Sequence, residues 1–313
     1  MAAESKTVIY AALTGNTVIA VTKFIAAVVS GSSAMLAEGI HSVVDTGNQV
    51  LMLLGLNRAR QPADERFPFG HGKEVYFWSF VVALSIFAVG SGISLYEGVL
   101  HLLHPAHLGD PTMSYIVLGV AMAAEGGSWF FAWKGFRAAK GGSGYLRAVR
   151  EGKDPTLFVV LFEDSAALLG LLVAFTGVAA AHATGNAVYD ALATLCIGLI
   201  LGVVALWLAL ETKGLLIGEA ARPEVRAGIR ELAEEADGVE GINELATLHM
   251  GPEQVVVTLS LDFRNHLEAS AVEETVGRLN RAIKERYPEV SRVFVEVESR
   301  AVHLAQDRSA RGA

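Results

Sequence analysis

Cys196 is the single cysteine in 313 residues. Intramolecular disulfides, cysteine-based zinc clusters and iron–sulfur sites are thereby excluded, and any metal chemistry must rely on His, Asp and Glu. Charge is scarce too: 19% of residues are charged against 52% hydrophobic, and the mean hydropathy is +0.41. That is too apolar for an ordinary soluble protein of this length. The start, "MAAESKTVIYAALTGN", lacks the basic head and cleavage site of a signal peptide, so no removed segment is expected. "GHGKE" is not a phosphate loop, because Phe67 and Glu74 stand where a Gly and a Ser or Thr are required. No His-Glu-x-x-His pair is present, which argues against a membrane metallohydrolase. The chain is expected not to be an enzyme, to need no cofactor and to bind no nucleic acid.

What the sequence does contain is long apolar runs. Crossing about 30 Å of hydrocarbon takes roughly 20 apolar residues. Six runs qualify, near 8–30, 34–56, 76–103, 112–136, 156–182 and 186–210. Basic residues cluster in the loops after the second run (Arg58, Arg60, Arg66, Lys73) and the fourth (Arg137, Lys140, Arg147, Arg150, Lys153), while the alternate loops have none. Both termini are therefore expected in the cytoplasm, and the absence of targeting signals fits a bacterial inner membrane. After Leu210 the chain turns charged and amphipathic. Helical spacing from Pro223 to Gly238, two strand-like runs around Gly251 and Pro252, a helix ending before Pro288 and a last alternating run at 291–299 give the order α-β-β-α-β. The expected fold class is an α-helical membrane protein with six transmembrane helices (1–210) and a C-terminal cytoplasmic α+β domain (211–300), with two helices on one sheet face and a mobile tail (301–313).

Several polar residues stand inside the apolar runs. His41 and Asp45 are four apart in "HSVVD" and share one helix face. Glu163 and Asp164 lie in the middle of the fifth run. Facing lipid, each would cost several kcal/mol, so they must face each other, water or a cation. Imidazole with carboxylates suits zinc, cobalt, ferrous iron or manganese. The plainer reading is an interhelical hydrogen bond for His41 and Asp45, with Glu163 paired to a base such as Lys23; an i, i+4 pair plus two further acids favours the metal. Adjacent helical residues differ by about 100° in direction, so Asp164 is the first choice as ligand and Glu163 a fourth ligand, proton carrier or supporting partner. Asn16 offers a further polar group near this site. Asp64 and His71 form a second pair in the loop after the second run, and His249 is a metal candidate in the C-terminal domain. Glu97 and Glu125 read as structural carboxylates toward the ends of the third and fourth runs.

The run "NTVIAVTKFIAAVVSGSSAMLAEGIHSVVDTGNQVLMLLGL" followed by "FGHGKEVYFWSFVVALSIFAVGSGISLYEGV" closely resembles the cation diffusion facilitator family of divalent-metal transporters. In that family the second and fifth spans each give a His or Asp and an Asp four apart. The resemblance implies ligand roles for His41, Asp45 and Asp164, with Val160 standing at the place of the fifth-span partner and Glu163 looking like the substitution of the zinc transporter 9-like branch. In the family's loop site Asp64 and His71 match, and Phe67 replaces a His. The tail implies a homodimer. The expected function is efflux of a divalent cation, Zn²⁺ first, across a lipid bilayer by proton-coupled antiport. The alternatives are the same build for Mn²⁺, Fe²⁺ or Co²⁺, or a non-transporting membrane metal sensor.

Overall fold

The computed structural model describes residues 17–104, 110–140, 144, 149 and 152–311. Asn16 and most of the segment 141–151, expected to be a linker, lie outside the described residues. The chain divides into two compact units, residues 1–58 with 74–213 and residues 59–73 with 214–313.

The first unit is helical. Its elements are α1 (Thr17–Ser30), α2 (Ser33–Ala59), α3 (Glu74–Leu103), α4 (Thr112–Lys140), α5 (Pro155–Thr184) and α6 (Val188–Ile217), whose last turn enters the second unit. Among the described residues four helices, α3 to α6, are long and apolar enough to cross a bilayer. α2 has the length, but Glu38, His41, Asp45 and Asn48 lower its hydropathy. Burial runs opposite to that of a soluble protein. Val28, Phe131 and Val203 are 85%, 73% and 69% exposed, whereas Lys23, Glu38, His41, Asn48 and Glu163 are buried. Apolar side chains facing outward and polar ones inward define an integral membrane domain.

Local chemistry fixes the helices that matter most. Asp154 caps α5 by accepting the Thr156 amide at 3.0 Å, Pro155 occupies the first turn, and Gly185 ends the helix in a left-handed conformation at φ 67°. α2 is capped from a distance: Asp190 of α6 accepts from Ser32 Oγ (2.6 Å), the Ser33 amide (2.6 Å) and Ser33 Oγ (2.8 Å). A buried carboxylate there satisfies free amides and complements the helix dipole. α3 widens into π geometry over Ile86–Ser91, and Ser91 Oγ donates to the Gly198 carbonyl of α6 at 2.8 Å. A Cβ on Gly198 would come within 2.8 Å of Leu95, so glycine is what permits this close approach.

The second unit contains α7 (Pro223–Glu234), β1 (Val239–Gly251), β2 (Gln254–Phe263), α8 (Ala269–Arg286), β3 (Val290–Val297) and α9 (Arg300–Arg311). The sheet order is β1-β2-β3, with β1 antiparallel and β3 parallel to β2. Val255, Val257, Leu259 and Leu261 alternate along β2 onto one face and pack with Val225, Ile229 and Ala233 of α7 and Leu279 and Ile283 of α8. The expected αββαβ order is thus present. Two features differ from expectation. Within 301–313, expected to be a mobile tail, the chain is helical as far as Arg311: Arg300–Arg311 has no Gly or Pro, and His303 Nδ1 lies 3.0 Å from Glu298 Oε2. The loop 59–73 belongs to this unit, where Phe69 meets Phe294 edge-on at 6.3 Å and a Cβ on Gly72 would strike the Met250 carbonyl.

Candidate functional site

Within the membrane unit a cavity of ≈ 80 Å³ is walled by Asp45 and Gln49 of α2, Glu125 and Ser128 of α4, and Val160, Glu163 and Asp164 of α5. About 10–15 Å³ of such space accommodates one water, so an ion retaining several waters fits. Three of the four residues expected in the main site, Asp45, Glu163 and Asp164, share this cavity. The fourth, His41, lies one turn before Asp45, with Nδ1 3.4 Å from Asp45 Oδ1. His41 is 1% exposed, and neither ring nitrogen has a hydrogen-bond partner; Asp45 Oδ1 is likewise unpartnered. A buried imidazole with two idle nitrogens departs from the rule that interior polar groups are satisfied.

The α5 acids are anchored. Asn48 Nδ2 donates to Glu163 Oε1 at 2.7 Å and Ser128 Oγ to Asp164 Oδ2 at 2.9 Å, while Trp129 Nε1 reaches Ser165 Oγ at 2.9 Å. Glu163 and Asp45 face the same cavity from α5 and α2. In this arrangement no group of three or more His, Cys, Asp or Glu among the described residues is set to hold a metal ion. The carboxylates ring the cavity without closing on one point.

Lys23 does not pair with Glu163. Its ammonium lies 3.1 Å from Glu38 Oε2 and donates to Ser42 Oγ at 2.8 Å, with Lys23 and Glu38 wholly buried. Glu125 is not near a helix end, since it lies midway along α4 and faces the cavity. That position and Asn48 are what reading the sequence missed. The signal for Asn48 was its place seven residues after His41 and three after Asp45, continuing the polar stripe of α2. For Glu125 it was a carboxylate near the centre of a helix long enough to span. Glu97 pairs within α3 with His101 at 3.5 Å.

The remaining expected sites lie in the second unit. His71 Nε2 is 3.0 Å from Asp64 Oδ2, the Phe67 amide donates to Asp64 Oδ1 at 2.6 Å, and the Phe67 ring packs 4.5 Å from that of His71. The amide of Phe67 first, then His71, holds the Asp64 carboxyl below the usual carboxylate range. The Phe67 ring thus packs beside the Asp64–His71 pair. His249 is buried in β1, with Nδ1 3.2 Å from the Gly251 carbonyl.

A helical membrane domain with a carboxylate-walled cavity, followed by a three-stranded α+β domain, defines an integral membrane protein with acidic groups gathered inside its membrane unit. The family model for the cation efflux transmembrane domain matches residues 9–217, and that for the cation efflux protein cytoplasmic domain matches residues 221–300. The chain belongs to the cation efflux family. It is 30% identical over 314 residues to the proton-coupled zinc antiporter SLC30A9, mitochondrial, of Mus musculus, covering 88% of this chain and 55% of that protein. It is 30% identical over 263 residues to metal tolerance protein C4 of Arabidopsis thaliana, covering 82% and 58%. With the cation-efflux pump FieF of Escherichia fergusonii it shares 27% identity over 260 residues, covering 83% and 81%. The chain spans little more than half the length of the first two. These relatives are named for moving or tolerating metals, not for catalysis.

Proposed function

We propose that this chain is a homodimeric secondary transporter that moves a divalent transition-metal cation, Zn²⁺ first, out of the cytoplasm in exchange for protons. The observation that carries the reading is the buried His41 with two idle nitrogens, beside Asp45 on a cavity shared with Glu163 and Asp164. Here the metal is cargo and not a cofactor. Binding requires a neutral imidazole and ionised carboxylates, so protons and metal compete for the same atoms, and that competition couples the two fluxes. Without metal, Asn48 and Ser128 hold the α5 acids apart; with metal, a small rotation of the same side chains brings them onto the ion.

A second recess of ≈ 380 Å³, mostly apolar, shares Gln49, Val160 and Glu163 with the site cavity and runs past Leu56, Gly135 and Thr156. Those residues lie toward the helix ends that adjoin the Lys- and Arg-rich loops. This supports an access path from the cytoplasmic side, the side on which we also place both termini. The membrane would be one that maintains a proton gradient. A rival choice of cargo, Mn²⁺ or Fe²⁺, is favoured by one feature: the cavity wall has carboxylates and no imidazole at position 160.

The test is transport by purified protein in liposomes. Asp45→Ala and Asp164→Ala should each reduce Zn²⁺ flux to the protein-free background while the dimer survives detergent sizing. Normal flux in either variant contradicts the shared site.

A further inference from the structure

Position 160 faces the site cavity but offers only the methyl groups of Val160, while Glu125 faces the same cavity from α4. Glu125 belongs to neither of the helices that carry the other acids. It shares the cavity wall with Asp45, Glu163 and Asp164. Ser128, one turn later on the same face of α4, ties that helix to Asp164 at 2.9 Å, so the register of Glu125 against α5 is fixed. Independently, polar atoms beside the cavity are left open: Asp45, which lines it, has an unpartnered Oδ1, and His41, 3.4 Å from that oxygen and 1% exposed, has both nitrogens unpartnered. Balancing Lys23 would be another task for Glu125, but Glu38 already takes that ammonium at 3.1 Å.

We propose that Glu125 is a metal-binding residue of this cavity, supplying from α4 the ligand that Val160 cannot supply from α5. The site would then draw on three helices, with one imidazole and an excess of carboxylate oxygen. That donor set admits both the borderline ions Zn²⁺ and Fe²⁺ and the harder Mn²⁺ and discriminates among them less than a site with a second imidazole. The inference rests on the reading of the cavity as the transport site and adds a ligand to it.

The experiment is calorimetric titration of the full chain in detergent with ZnCl₂ and, separately, MnCl₂, alongside flux in liposomes. Glu125→Gln should weaken Zn²⁺ binding by at least about tenfold, as loss of a supporting metal partner does, with the dimer intact. Adding Val160→His to that variant should restore Zn²⁺ affinity to within about threefold of wild type, because the two positions are coupled through one ion, without restoring Mn²⁺ affinity. A purely structural Glu125 would not be rescued by an imidazole on another helix. Unchanged Zn²⁺ affinity in Glu125→Gln, or a loss that Val160→His fails to repair, overturns the inference. Should Glu125→Gln fail to fold, Glu125→Asp keeps the charge and withdraws the oxygen by one methylene; wild-type affinity there overturns it equally. Failure of the two readings is distinguishable: a wild type that neither binds nor moves metal removes the transport function and the inference with it. Wild-type behaviour of Glu125→Gln alongside a dead Asp164→Ala removes the inference alone.

Discussion

Helix α2 takes part in two buried polar pairs, Glu38 with Lys23 of α1 and His41 with Asp45, and the interior treats them differently. Glu38 meets Lys23 at 3.1 Å, and the same ammonium also reaches Ser42. His41 and Asp45, three and seven residues further on, stand 3.4 Å apart without a hydrogen bond. Both pairs lie where an unpaired charge costs several kcal/mol. The first has a fixed counter-ion and reads as structure. The second has none built in, and its Asp45 lies on the wall of a cavity lined by further carboxylates. Polar residues in a bilayer segment thus divide by whether their partners are built in, a distinction that hydropathy alone does not make.

The sharpest way to break this contrast is Lys23→Met. Removing one member of a buried pair leaves the other charge uncompensated, a loss of about 3–5 kcal/mol, and thermal unfolding in detergent should show it as a large drop in midpoint. Adding Glu38→Gln should recover much of that loss; no recovery would mean that Lys23 serves something other than Glu38. A smaller effect is expected from Glu163→Gln. The amide oxygen still accepts from Asn48, so stability should change little, whereas Zn²⁺ affinity should fall about 10- to 100-fold and the pH dependence of flux should flatten. Unchanged flux with unchanged pH dependence would make Glu163 structural, like Glu38. The smallest effect belongs to the loop. Asp64→Asn should leave transport near wild type, since Phe67 already occupies the space beside His71. Because the Asp64 carboxyl is held below the usual range, its contribution to stability is present above the ordinary carboxylate pKa and fades as pH falls through its own lowered value. The gap between the melting curves of wild type and Asp64→Asn should therefore be small at neutral pH and close on acidification.

Much of the fold was legible because its signals are local. Apolar runs marked the helices, and the alternation of β2 announced a sheet with one buried face. α9 was not legible, because "RAVHLAQDRSAR" is highly polar and its anchor, His303 on Glu298, depends on the fold around it. Nor was the membership of loop 59–73 in the second unit, which rests on contacts such as Phe69 with Phe294, more than 200 positions away. In the site, the stripe of His41 and Asp45 and the pair at 163 and 164 could be read from helical spacing. What spacing could not give was the partner of each group. Lys23 chose Glu38, Glu163 took Asn48, and Glu125 turned from an apparent end-of-helix carboxylate into part of the cavity wall.

The claim that metal and protons compete for one cavity is tested most directly by Zn²⁺ uptake into liposomes holding the wild-type chain and a pH-sensitive dye, with and without an acid lumen. The prediction is that the acid lumen accelerates Zn²⁺ entry, that the lumen turns alkaline as Zn²⁺ enters, and that both signals vanish in Asp164→Ala. Zn²⁺ entry at one rate regardless of the gradient, with no proton release, would contradict it.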